Sequence, residues 1–147
     1  MRIRAGCVLI EGNNIALIER HRAGRHYFSF PGGGVDEGES YEQAAVREME
    51  EELGLQVKVI RKIADVLFNG KPQYYFLVER IGGEFGTGSG EEYGSYDPAY
   101  GTYQPVWMPL DEILAHNVVP RPLAELVSRS VAQGWPEGAV IISEDKK

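Results

Sequence analysis

The chain of 147 residues has one cysteine, no apolar run near the length of a membrane span, and fewer basic than acidic side chains. Cys7 therefore has no internal disulfide partner, and its place within an expected strand makes it a small core residue. A bilayer span needs about 20 consecutive apolar residues, and none is present. The opening MRIRAGCVLIEGN has too short an apolar core for a secretory signal. A cytoplasmic location is therefore expected, and no membrane partner. With 15 Lys and Arg against 22 Asp and Glu, the formal net charge is −7. Nucleic-acid binders carry a basic footprint, so a long polyanion is not the expected main partner. A small phosphorylated substrate is compatible, because metal ions and a few local arginines can handle its charge. No internal repeat or low-complexity tail is visible.

What is present is an ordinary globular composition, 43% hydrophobic and 25% charged. That length suits one domain, expected over residues 1–147, with a real core. Its densest feature runs from Gly33 to Leu55, GGVDEGESYEQAAVREMEEELGL. The Pro31-Gly32-Gly33-Gly34 turn leads into a helix. Ser40 with Gln43 three places on matches a capping box, so the helix starts just after Ser40. Gly54 suits the left-handed residue that ends it. Val46, Met49 and Leu53 form an apolar stripe that should anchor this helix to a sheet.

At about 100° per residue, Glu48, Glu51 and Glu52 fall within a sector of roughly 100°, while Glu50 points away. Ala44 and Ala45 lie beside this sector, and their small side chains leave room above them. Three carboxylates on one face repel one another unless a cation sits between them. Oxygen-only ligands suit a hard divalent ion, Mg²⁺ above all, with Mn²⁺ a possible substitute. Mg²⁺ completes its shell with water and substrate phosphates, so a diphosphate is the natural guest.

The spacing is Gly33, five residues, Glu39, seven residues, then Arg47-Glu48-Met49-Glu50-Glu51-Glu52-Leu53-Gly54-Leu55. It resembles the Nudix signature, with every prescribed position filled. Seven fixed residue types at an average usage of roughly 7% each make a chance match on the order of one in a million. A merely solvated acidic face accounts for Glu50 but not for the whole pattern. The resemblance implies a MutT-like hydrolase of the diphosphate bond in a nucleoside diphosphate linked to another moiety. In that pattern the Gly32 carbonyl joins Glu48, Glu51 and Glu52 around the metal, and Arg47 orients a box glutamate. Glu39 is expected to take a structural or outer-shell part.

Elsewhere, Ile3 to Ile10 and Ile15 to Arg20 read as strands joined at Gly12-Asn13-Asn14. A basic patch, residues 20–26, precedes the short strand Tyr27 to Phe30. Within it Arg22 or Arg25 is a candidate for gripping phosphate or ribose, the other reading being a solvated loop. Gln56 to Phe68 and Gln73 to Ile81 form a long antiparallel hairpin. Tyr74, Tyr75 and Phe76 read as packing residues.

From Gly82 to Thr102 the chain is rich in glycine and acid. By resemblance such a loop delivers one more glutamate as metal ligand or base, here Glu92 or its neighbour Glu91. Thr102 to Met108 is a strand carrying Trp107 into the core. Asp111 to Ala115 forms a short helix, His116 reads as a helix-end residue, and Pro122 to Gln133 is a closing helix.

This order suggests an α+β layered domain with a mixed sheet between helices. The resemblance sharpens it to the Nudix α/β/α sandwich. The proton acceptor is Glu48 or the loop glutamate. Substrates carrying the required bond include nucleoside triphosphates, dinucleoside polyphosphates and nucleotide sugars. The competing class is a catalytically silent nucleotide-sensing module, whose mark would be lost acidic positions; none is lost. An RNA-end hydrolase is disfavoured by the acidic balance and the lack of an extended basic or aromatic platform. A homodimer through an exposed sheet edge is possible.

Overall fold

The computed structural model describes residues 3–68, 70–86 and 102–144. Strands β1 (Arg4–Glu11) and β2 (Asn14–Arg22) form the expected hairpin, with Gly12 at φ 60° in its turn. They pair only at its tip, Ile10 with Ile15 and Glu11 with Asn14. Beyond that the two strands part. β1 pairs in parallel with β6 (Lys71–Gly83), from Arg4 opposite Gln73 to Leu9 opposite Val78. β2 pairs antiparallel with β3 (Arg25–Ser29) and β7 (Thr102–Pro109).

β5 (Leu55–Phe68) pairs antiparallel with β6 as the long hairpin read from the sequence. Three elements escaped that reading. β4 (Gly32–Gly34) pairs with β1, β8 (Val118–Val119) with β3, and β9 (Val140–Glu144) with β5. Three glycines have no intrinsic strand preference; β4 exists because β1 offers a partner edge. The expected helix Asp111 to Ala115 is a single 3-10 turn, Leu110–Glu112.

The mixed sheet lies between α1 (Tyr41–Leu53) and α2 (Arg121–Gln133), giving the α/β/α sandwich. Strand alternation supplies both faces. Ala5, Cys7 and Leu9 on β1, with Ala16 and Ile18 on β2, pack with Met49 and Leu53 of α1. Val8, Ile15 and Leu17 pack instead with Leu123, Leu126 and Val127 of α2.

Ala44 and Ala45 depart from expectation. Both are wholly buried in the α1–sheet core, leaving no open room above them. Their small size lets the helix backbone approach β1, where the Cys7 thiol donates to the Ala45 carbonyl at 3.4 Å. Among the described residues no helix is long and apolar enough to cross a membrane.

Candidate active site

Both ends of α1 are held by side chains and backbone of the expected types. The Gln43 amide donates to Ser40 Oγ at 3.0 Å, and the Ser40 amide donates to Gln43 Oε1 at 2.8 Å. Gly54 closes the helix at φ 79°, donating to the Glu50 carbonyl at 2.9 Å. A rigid helix fixes the directions of the carboxylates it carries.

Glu52 is buried, and the Gly32 amide donates to its Oε1 at 2.7 Å. Glu48 lies against Gly33. A Cβ on that glycine would sit 2.1 Å from Glu48 Oε2. Burial raises the Glu48 carboxyl above its ordinary value; Arg47 opposes the shift and Glu51 adds to it. The glycine strand β4 is thus the surface on which two of the three box carboxylates rest.

Arg47 binds the loop to the helix. Its Nε donates to Glu39 Oε2 at 2.8 Å and its Nη2 to Glu39 Oε1 at 3.0 Å. Nη2 also donates to the Gly34 carbonyl at 2.9 Å, and Nη1 reaches Glu51 Oε2 at 2.9 Å and Glu48 Oε2 at 3.4 Å. These charge-assisted bonds raise the Arg47 guanidinium further and lower the Glu39 carboxyl. Arg47 and Glu39 therefore stand as the helix-to-loop brace.

Glu48, Glu51 and Glu52 do not all bring oxygens within 4.8 Å of one another; among the described residues only Glu19, His21 and His26 do so with their ligand atoms. Mutual repulsion and competing donors account for this spread: Glu51 leans to Arg47 and Glu52 to Gly32. The donor set still fits a hard divalent cation. All three donors are carboxylates, and Glu48 bears a burial cost that a cation would relieve. The Gly32 carbonyl, expected in the same shell, accepts from Arg4 Nη2 at 3.3 Å. A carbonyl oxygen has a second lone pair for another partner.

Arg4 leads to what the sequence reading missed. It lines a cavity of about 270 Å³ together with Arg20, Arg22, Tyr27, Gln73 and Tyr75. The cavity adjoins β4 through the Arg4–Gly32 bond. The Tyr75 hydroxyl donates to Gln73 Oε1 at 2.7 Å, and burial pushes the phenol up to about 12, so it remains a donor at neutral pH. Arg22 lines this cavity. Arg25 is not among its lining; its guanidinium lies 5.2 Å from the Tyr27 ring centre. Glu91 and Glu92 lie outside the described residues.

The sequence model of the NUDIX domain matches residues 1–129. The chain belongs to the Nudix hydrolase family. It is 27% identical over 159 residues to the RNA pyrophosphohydrolase of Teredinibacter turnerae, covering 92% of this chain and 91% of that one. Against the RNA pyrophosphohydrolase of Vibrio cholerae it is 43% identical over 63 residues, covering 43% of this chain and 36% of that protein. This Nudix chain thus spans about a third of the length of the Vibrio relative. Its fold matches the crystal structure of a Nudix hydrolase from Nitrosomonas europaea with a TM-score of 0.73. That match has 18% sequence identity and covers 97% of this chain and 79% of the other.

Proposed function

We propose that the protein hydrolyses the diphosphate bond of a nucleoside diphosphate linked to another moiety, as a MutT-like nucleoside triphosphate pyrophosphatase dependent on Mg²⁺ or Mn²⁺. The observation that carries this reading is the junction at β4. On one side the glycine strand supports Glu48 and Glu52, and on the other it meets an arginine-lined cavity.

Glu48, Glu51 and Glu52 would hold the metal, with the Gly32 carbonyl as a further ligand. When bound, the cation neutralises phosphate oxygens and makes a bound water more acidic. Arg47 acts as a positioning residue, keeping the Glu48 and Glu51 carboxylates on the metal side of the helix. Arg22, with Arg4 beside it, would bind phosphate oxygens, and Tyr75 with Gln73 would orient the group bound in the cavity. Glu48, buried and raised, is one candidate to accept the proton from water; Glu92 remains the other. Positioning and charge stabilisation supply most of the rate gain in such chemistry.

A second reading has a specific support. Both curated relatives described above are named RNA pyrophosphohydrolases. A 5′-triphosphorylated RNA end presents the same diphosphate linkage. Two observations favour the small substrate: the net charge of −7, and a cavity of about 270 Å³, near the lower end for small-molecule sites at roughly 300 Å³.

The test incubates the protein with nucleoside triphosphates, nucleotide sugars, dinucleoside polyphosphates and a 5′-triphosphorylated oligoribonucleotide, with and without Mg²⁺. Products are identified by mass. Metal-dependent release of pyrophosphate from a free triphosphate is the expected result. Turnover confined to the oligonucleotide would favour the second reading, and binding without products would leave a sensor. A homodimer through the β9 edge, where Ile141 is 82% exposed, belongs to the same proposal and is read by light scattering.

A further inference from the structure

The chain has three histidines, and ring contacts link all of them across one patch. His21 and His26 face each other across β2 and β3, with ring centroids 4.2 Å apart and planes at 1°. His26 packs at 5.2 Å on Phe28, whose other contact is His116 at 5.4 Å. Glu19, two residues before His21 on the same strand face, accepts from His26 Nε2 through Oε2 at 2.7 Å. One ligand-capable atom from each of Glu19, His21 and His26 lies within 4.8 Å of the other two.

We propose that Glu19, His21 and His26 form a transition-metal site for Zn²⁺, separate from the carboxylates of α1. Two imidazoles and one carboxylate are a borderline-to-hard donor set, and its nitrogen majority suits Zn²⁺ and fits Mg²⁺ poorly. Tetrahedral zinc with bonds of about 2.0–2.1 Å sets its ligand atoms roughly 3.3 Å apart, so the 2.7 Å Glu19–His26 contact must open and the cluster rearrange around the ion. The exposed rings of His21 and His26 can make that adjustment by rotating about their side-chain bonds. His21 Nδ1 already contacts Thr102 Oγ1 at 3.2 Å. That engagement leaves its Nε2 for the metal and supplies the outer partner that metal-bound imidazoles use. Water would fill the fourth position.

The site's place in the fold gives it a consequence. Strand alternation puts Glu19 and His21 on one face of the β2–β3 hairpin and Arg20, Arg22 and Tyr27 on the other. Those last three line the cavity beside β4. A metal bridging β2 to β3 would hold the hairpin that carries them. The inference does not depend on hydrolysis, since metal binding is measured directly.

The test titrates Zn²⁺ into the full chain by calorimetry in excess Mg²⁺, with Co²⁺ as an optical probe of coordination. One equivalent is expected to bind, with the strong visible absorption of low-coordinate cobalt. His21→Gln and His26→Gln should each weaken binding by about tenfold or more, whereas Glu48→Gln should leave it unchanged. Thermal unfolding of each variant verifies that it is folded. No saturable binding, binding indifferent to both histidine substitutions, or binding lost with Glu48→Gln overturns the proposal. Failure of the hydrolysis assay alone leaves it standing, so the two readings fail separately.

Discussion

The carboxylate of Glu48 occupies the space in which a side chain on Gly33 would lie, with Oε2 at 2.1 Å and Cδ at 2.4 Å from that notional Cβ. The contact is with the far end of a flexible side chain, so Gly33→Ala can be accommodated by moving Glu48. The variant should stay folded, losing no more than about 1–2 kcal/mol of stability, in the ordinary range for single substitutions. Its Mg²⁺ requirement should shift to concentrations at least about tenfold higher, as disturbed metal-site geometry does. Activity titrated against Mg²⁺ reads this directly. An unchanged titration would show that Glu48 need not rest on β4.

Glu52 calls for a subtler change, because its Oε1 accepts the Gly32 amide proton at 2.7 Å. Glutamine keeps an oxygen acceptor and nearly the same shape, so Glu52→Gln should preserve that hydrogen bond while removing a metal-binding charge. Turnover is expected to fall by about a hundredfold or more, in line with mutations at metal-site groups, with little change in unfolding temperature. Wild-type turnover in the folded variant would remove Glu52 from the metal site.

Arg47 tests the brace between loop and helix. Lysine carries the same charge but cannot make the two parallel bonds that Arg47 makes to Glu39. Arg47→Lys should cost about 1.5–3 kcal/mol, the range for hydrogen bonds to charged groups. It should also lower kcat by about 10–100-fold, because Glu48 and Glu51 lose their common partner. A positioning role predicts a kcat effect with KM for the nucleotide nearly unchanged. A rise in KM alone would make Arg47 a substrate-binding group instead.

These three residues also mark how far the chain could be read without coordinates. The caps of α1 and its acidic sector are set by spacings within Gly33–Leu55, where a helix converts separation along the chain into direction. The pairing of Arg47 with Glu39, which lies in the loop before the helix, is seen only in the structure. The cavity is different in kind. Arg4, Gln73 and Tyr75 meet because β1 runs parallel to β6, with Arg4 opposite Gln73 and Gly6 opposite Tyr75. Alternation of apolar residues reveals which face a strand buries but not which distant strand it pairs with. Ala44 and Ala45 were misread for a related reason. They flank the acidic sector on a helical wheel, and only the approach of β1 shows that this flank is core.

Glu39 and Glu48 should give the metal-free protein two opposing pH dependences. Arg47 lowers the Glu39 carboxyl below its ordinary value of 4.5. The folded state therefore binds fewer protons there than the unfolded chain, and the stabilisation is present above about 4.5 and lost as pH falls through the lowered value. Glu48 is raised above 4.5, by burial first. Its folded form holds the proton longer, so its contribution is present below 4.5 and disappears as pH rises through the raised value.

Bound Mg²⁺ favours the ionised Glu48, so affinity for the metal should increase with pH across that same window. Urea unfolding from about pH 3 to pH 7, with and without Mg²⁺, separates the two. Glu39→Gln should remove the acid-side loss, and Glu48→Gln should flatten the metal-free decline above pH 4.5. If Glu48→Gln and the parent chain trace the same metal-free profile over that window, then Glu48 carries no burial cost for a cation to relieve.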